Sequence, residues 1–99
     1  MGESIRLVQH SDGKTSIRVD AQITDEGHLL FSGQDAGEAP AAFFGDEDYE
    51  YWLCIKAEHK DRVLLALIEK VYGGNLSVVS EFKEFLKSKG IPGEFSSYV

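Results

Sequence analysis

Asp46, Asp48 and Glu50 put a carboxylate at every second position of the segment GDEDYEYW, with Glu47 among them and Tyr49, Tyr51 and Trp52 interleaved. Oxygen donors are what a hard divalent cation takes, so calcium or magnesium binding is the first chemistry to weigh. An EF-hand loop needs about twelve residues, a glycine at the sixth and a closing bidentate glutamate, all between helices. Here the acids run into an aromatic strand, where alternate side chains separate: Asp48 and Glu50 fall on one face, Tyr49 and Tyr51 on the other. The plainer account is an acidic, solvated strand entrance. A metal-dependent or carboxylate-based enzyme using the 46–50 segment is therefore the second reading, and no cofactor or metal is assigned. Zinc has less to recommend it, because His10, His28 and His59 share no ligand spacing with the single Cys54.

Nucleophilic catalysis needs a nucleophile, a base and an orienting group, and no serine or cysteine signature supplies them. Cys54 sits mid-strand among apolar neighbours, which reads as an inert core thiol. His59 with Glu58 and Asp61 stands at a helix start, where acids are ordinary. Gly73-Gly74 follows a helix, whereas a phosphate-cradling loop precedes one. No catalytic residue is assigned.

Charge narrows the partners. The 99 residues carry a net −7, and from Val19 to Ile55 there are nine acids and no lysine or arginine. Such asymmetry creates a field of one sign, unfavourable to phosphate backbones and anionic lipid and favourable to a basic protein. Aromatic residues beside the acids are of the types enriched at interface hot spots. The expected site is thus a partner-binding surface of Asp35, Glu38, Asp46, Glu47, Asp48, Glu50 and Trp52, with no nucleic-acid or membrane partner. The competing account treats the acids as gatekeepers that keep an aggregation-prone strand soluble. A homo-oligomer burying Trp52 and Tyr51 is a third reading, the chain being a monomer or weak homodimer.

The elements that would carry this surface follow from periodicity. Ser4–His10 reads as a strand with Ile5 and Leu7 on one face, and Asp12-Gly13 supplies a tight turn. Thr15–Thr24 alternates, with Ile17, Val19, Ala21 and Ile23 on one side. His28–Gly33 is a third strand and Tyr49–Ala57 a fourth, covered in part on both sides. Residues 34–48, punctuated by Gly37, Pro40 and Gly45, read as a long irregular loop. The period then changes to helical in Lys60–Tyr72 and about Val78–Lys89, with Ser77 as N-cap, Gly73-Gly74 and Gly90 as stops, and Pro92 forbidding continuation. Glu94–Val99 could add an edge strand. Strands followed by helices imply one α+β domain over residues 1–99: an antiparallel meander of four or five strands with two C-terminal helices packed on one face. The N-terminus carries neither a signal-peptide pattern nor a membrane span, so a cytoplasmic setting is expected.

GQDAG at 33–37, GDEDYEYWL at 45–53 and the helical end LLALI…EFKEFLKSKGIPGEF resemble a family of small bacterial proteins without an assigned activity. The resemblance, from about Thr15 onward, implies a bacterial cytoplasmic protein of one α+β domain and carries over no catalytic or ligand residue. Some small proteins of this style accompany toxins as immunity factors, and by that analogy the acidic surface would act as an immunity-like inhibitor of a basic partner.

Overall fold

The structure is a computed structural model and describes residues 3–37 and 48–98. Four antiparallel strands are followed by two helices, an α+β arrangement. The strands are β1 (Ser4–Ser11), β2 (Thr15–Ile23), β3 (Leu29–Gly37) and β4 (Asp48–Ile55). They form one meander in the order β1-β2-β3-β4. A 3-10 turn, Ala57–His59, leads into α1 (Lys60–Tyr72), and α2 spans Val78–Ser88. The chain groups into two compact units, Met1–Leu64 and Leu65–Val99, the boundary falling within α1. Among the described residues no strand forms at 94–98, contrary to the option of a fifth. No helix there is long and apolar enough to cross a membrane.

In the sheet unit, local chemistry sets the turns. The Asp12 carboxylate accepts hydrogen bonds from the Lys14 and Thr15 amides at 2.9 and 2.8 Å, and Gly13 takes a φ of +88°. These two amide donors, Thr15 first, hold the Asp12 carboxyl below its ordinary range. The next turn closes through Thr24, whose hydroxyl accepts from the His28 amide at 3.1 Å. His28 then reaches across the sheet, its Nδ1 accepting from the Ala57 amide at 2.9 Å as the chain leaves β4.

Register decides which side chains share a face. Ile17, Val19, Ala21 and Ile23 of β2 stand opposite Asp35, Gly33, Phe31 and Leu29 of β3. Those in turn stand opposite Tyr49, Tyr51, Leu53 and Ile55 of β4. This is the apolar face, and Ala21 is its buried centre. On β1 a register shift between Arg6 and Val8 leaves Leu7 as an extra residue, so Val8, not Leu7, joins Ile5 on this face. β3 also runs further than its sequence reads. Residues 34–37 extend the strand, because Gly37 pairs with Thr15 and Ala36 with Asp48.

The two glycines of GQDAG have steric reasons. A Cβ on Gly33 would collide with the Tyr51 side chain at Cζ and Cε2. Gly37 has a φ of +111°, and a Cβ there would collide with the Lys14 carbonyl.

In the helical unit, the side-chain cap expected of Ser77 is not made, and Asn75 braces the helix start instead. Ser77 occupies the N-cap of α2 without a side-chain cap bond. Asn75 accepts from the Ser77 amide at 2.8 Å and donates to Glu81 at 2.7 Å, tying the chain to the first turn of α2. The far end closes on Gly90 at φ +67°, with the Ile91 amide donating to the Leu86 carbonyl and the Gly90 amide to that of Lys87, a Schellman pattern.

Candidate functional site

Pairing brings together residues far apart in sequence on the polar face of the sheet. Arg6, Asp20, Ser32 and Trp52 lie in one row across the four strands, and Gln9, Arg18, Gln34 and Glu50 in the next. Arg6 donates from Nε to Asp20 at 2.7 Å and from Nη1 to Gln9 at 3.0 Å, while Arg18 donates to Gln34 at 3.0 Å. The hydrogen bond from Arg6 holds the Asp20 carboxyl below its ordinary range, with the charges of Arg6 and Arg18 adding to it. Between the rows is a shallow concavity of about 200 Å³ lined by Arg18, Asp20, Ser32, Gln34, Glu50 and Trp52. Trp52 stands 63% exposed on its rim.

Of the seven expected contact residues, Asp48, Glu50 and Trp52 fall on this face at alternate positions of β4, all exposed. Glu38, Asp46 and Glu47 lie outside the described residues. Asp35 is separated from the group, because its register with Ile17 and Tyr49 puts it on the apolar face. Its Oδ1 is buried and has no hydrogen-bond partner among the described residues. Beside it the Tyr49 and Tyr51 rings are 5.4 Å apart. Burial raises the Tyr51 hydroxyl above its ordinary pKa, and the neighbouring Asp35 and then Tyr49 raise it further.

Two sequence expectations need correction here. The base-free stretch does not give this face a field of one sign. Arg6 and Arg18 enter the polar face from β1 and β2, beyond the base-free stretch, and Arg6 pairs directly with Asp20. Nor is Cys54 a core thiol: Cys54 and Trp52 are both exposed on the polar face of β4. Arg18, Ser32 and Gln34 were not singled out from the sequence. Arg18 and Ser32 look like ordinary strand residues, and Gln34 like part of a loop, until register aligns them with Glu50 and Trp52.

Chemically, the face offers a hydrogen-bonding concavity and an aromatic platform, flanked by carboxylates. Among the described residues no three potential metal ligands converge. His28 is 3.3 Å from Glu26 beside the second turn, away from this group in register. The helical unit contains a larger groove of about 560 Å³, lined by Ile68, Val78, Phe82, Leu86, Ile91 and Phe95. Lys83 Nζ lies 3.9 Å over the Phe95 ring at its margin.

Comparison of the chain with protein-family models, with curated proteins and with solved structures gave no match.

Proposed function

We propose that the protein is a small, non-enzymatic binding module that docks a basic protein on the β4 side of its polar sheet face, as an immunity-like inhibitor does. The carrying observation is Trp52, 63% exposed, with Glu50 and Asp48 on the same face of the same strand. A large aromatic left in water beside carboxylates is the composition of an interface anchor: the ring supplies area and the charges steer approach. Arg18 and Asp20 then give the surface an alternating pattern, which sets orientation more than raw affinity. Asp35 plays no part in this contact, because it belongs to the other face. An exposed free thiol at Cys54 suits a reducing cytoplasm, where it stays unoxidised.

The test uses the wild-type protein and an Asp48→Asn/Glu50→Gln/Trp52→Ala variant as baits in extract of the native host, at low and high salt. The expected result is a basic protein held by the wild type at low salt, released as salt rises and not retained by the variant. With that protein purified, Trp52→Ala alone weakens binding by about 30-fold or more, a hot-spot loss of roughly 2 kcal/mol. Identical retention by both baits at both salts removes the basis for the reading.

A further inference from the structure

Among the described residues β4 and β1 are the two edges of the sheet, and β1 is blunted by an irregularity and a base where β4 has only the acids Asp48 and Glu50 near its start. β1 is broken by the register shift after Arg6, and Arg6 itself is on it. By contrast β4 pairs with β3 without a shift from Asp48 to Ile55. It is eight residues long and contains no proline, lysine or arginine. Among the described residues no strand lies along its outer side. Trp52 and Leu53 are 63% and 61% exposed on opposite faces of it. A long, regular edge whose second half, Tyr51 to Ile55, is free of charge is a template for another strand.

The geometry points to a second copy of this chain as that strand: we propose that β4 pairs antiparallel with β4 of a second molecule, on a two-fold axis through Leu53. In that register Glu50 of each chain faces Lys56 of the other, Trp52 faces Cys54, and Tyr51 faces Ile55. Lys56 is exposed and lies one residue past the end of β4 with its backbone still extended, φ −61° and ψ 150°, which leaves its long side chain within reach of Glu50. The chain turns away at Ala57, before the two-fold would bring Asp48 against Glu58. Parallel in-register pairing is disfavoured, because it sets Glu50 beside Glu50. Charge therefore selects the antiparallel arrangement, and a two-fold contact consumes both β4 edges and closes. The inference does not rest on the proposed function. The polar face of each copy, including its concavity, stays open in an eight-stranded sheet.

Two paired strands bury less than a standard interface, so the dimer dissociates with Kd of about 1–100 µM. Sedimentation of the full chain over about 1–500 µM reads this directly. Glu50→Lys brings cation against cation at two places, and Lys56→Glu brings anion against anion. Each variant alone is expected to weaken self-association about tenfold or more, with the far-ultraviolet circular dichroism unchanged. Mixed one to one, the two variants restore opposite pairs at both places and dimerise as tightly as the wild type; the Glu50→Lys/Lys56→Glu double variant does so with itself. Two results overturn the proposal: a wild type monomeric across the range, or a dimer indifferent to the single substitutions and to their mixing. If a variant loses its circular dichroism signal, the double variant carries the decision.

Discussion

Replacing Gly33 by alanine tests whether the motif Gly33-Gln34-Asp35 is written by packing. The Tyr51 ring lies against the Gly33 backbone, and a Cβ built there collides with its Cζ and Cε2. The ring must leave. A buried aromatic covers roughly 150–250 Å², and Tyr51 is half-buried, so about 100 Å² returns to water. At ~25 cal/mol per Å² the loss is about 2.5 kcal/mol. Alanine restricts the unfolded chain more than glycine does, which gives back about 0.4–1 kcal/mol. The net expectation is a destabilisation of about 1.5–2 kcal/mol. Urea unfolding, followed by fluorescence of the single tryptophan on the neighbouring residue, measures it, with the m-value unchanged. The decisive control is Tyr51→Ala. In that background the obstructing ring is gone, so Gly33→Ala becomes neutral or stabilising by up to about 1 kcal/mol. Equal cost in both backgrounds would refute the argument, as would a neutral Gly33→Ala in the wild type.

Two pH responses follow from the sheet. Tyr51 has a folded-state pKa above its ordinary value near 10, so its stabilising contribution is complete below that value and is lost as pH rises through the folded pKa. Absorbance titration at alkaline pH should show Tyr51 ionising late, assigned by its loss in Tyr51→Phe, and Asp35→Asn should move it back towards the ordinary value. Asp20 has the opposite sign, since Arg6 depresses its pKa: its contribution is present above the ordinary carboxylate range and is lost as pH falls through the depressed value. Arg6→Gln should therefore flatten the acid limb of the stability profile while leaving the alkaline limb alone.

The helix and strand pattern was legible in sequence because each element is set by local physics. Alternation in β2, the period change at Lys60, the Asp12-Gly13 turn and the left-handed glycines 74 and 90 need only neighbours a few residues away. Reading residues 34–37 as loop failed for the converse reason. Asp35 and Gly37 have poor strand preference, and only pairing with β2 on one side and β4 on the other makes this stretch a strand. The segment Glu94–Val99 erred the other way: it has strand-like residues, yet its described part, 94–98, forms no strand.

What the sequence determined by itself was composition and period: an acidic middle, an amphipathic second strand, an aromatic fourth, and helices with one apolar stripe. What only the tertiary structure decided was adjacency. Charge along the chain counts neighbours in one dimension, whereas a sheet places Arg6 against Asp20, fourteen residues away, and aligns Arg18 with Gln34 and Glu50. The same register put Asp35 on the side away from the other acids, and the edge position of β4 left Trp52 and Cys54 in water. Side-chain direction alternates with a period of two, so each residue's face is fixed by its strand. Its neighbours are fixed only by how that strand is paired.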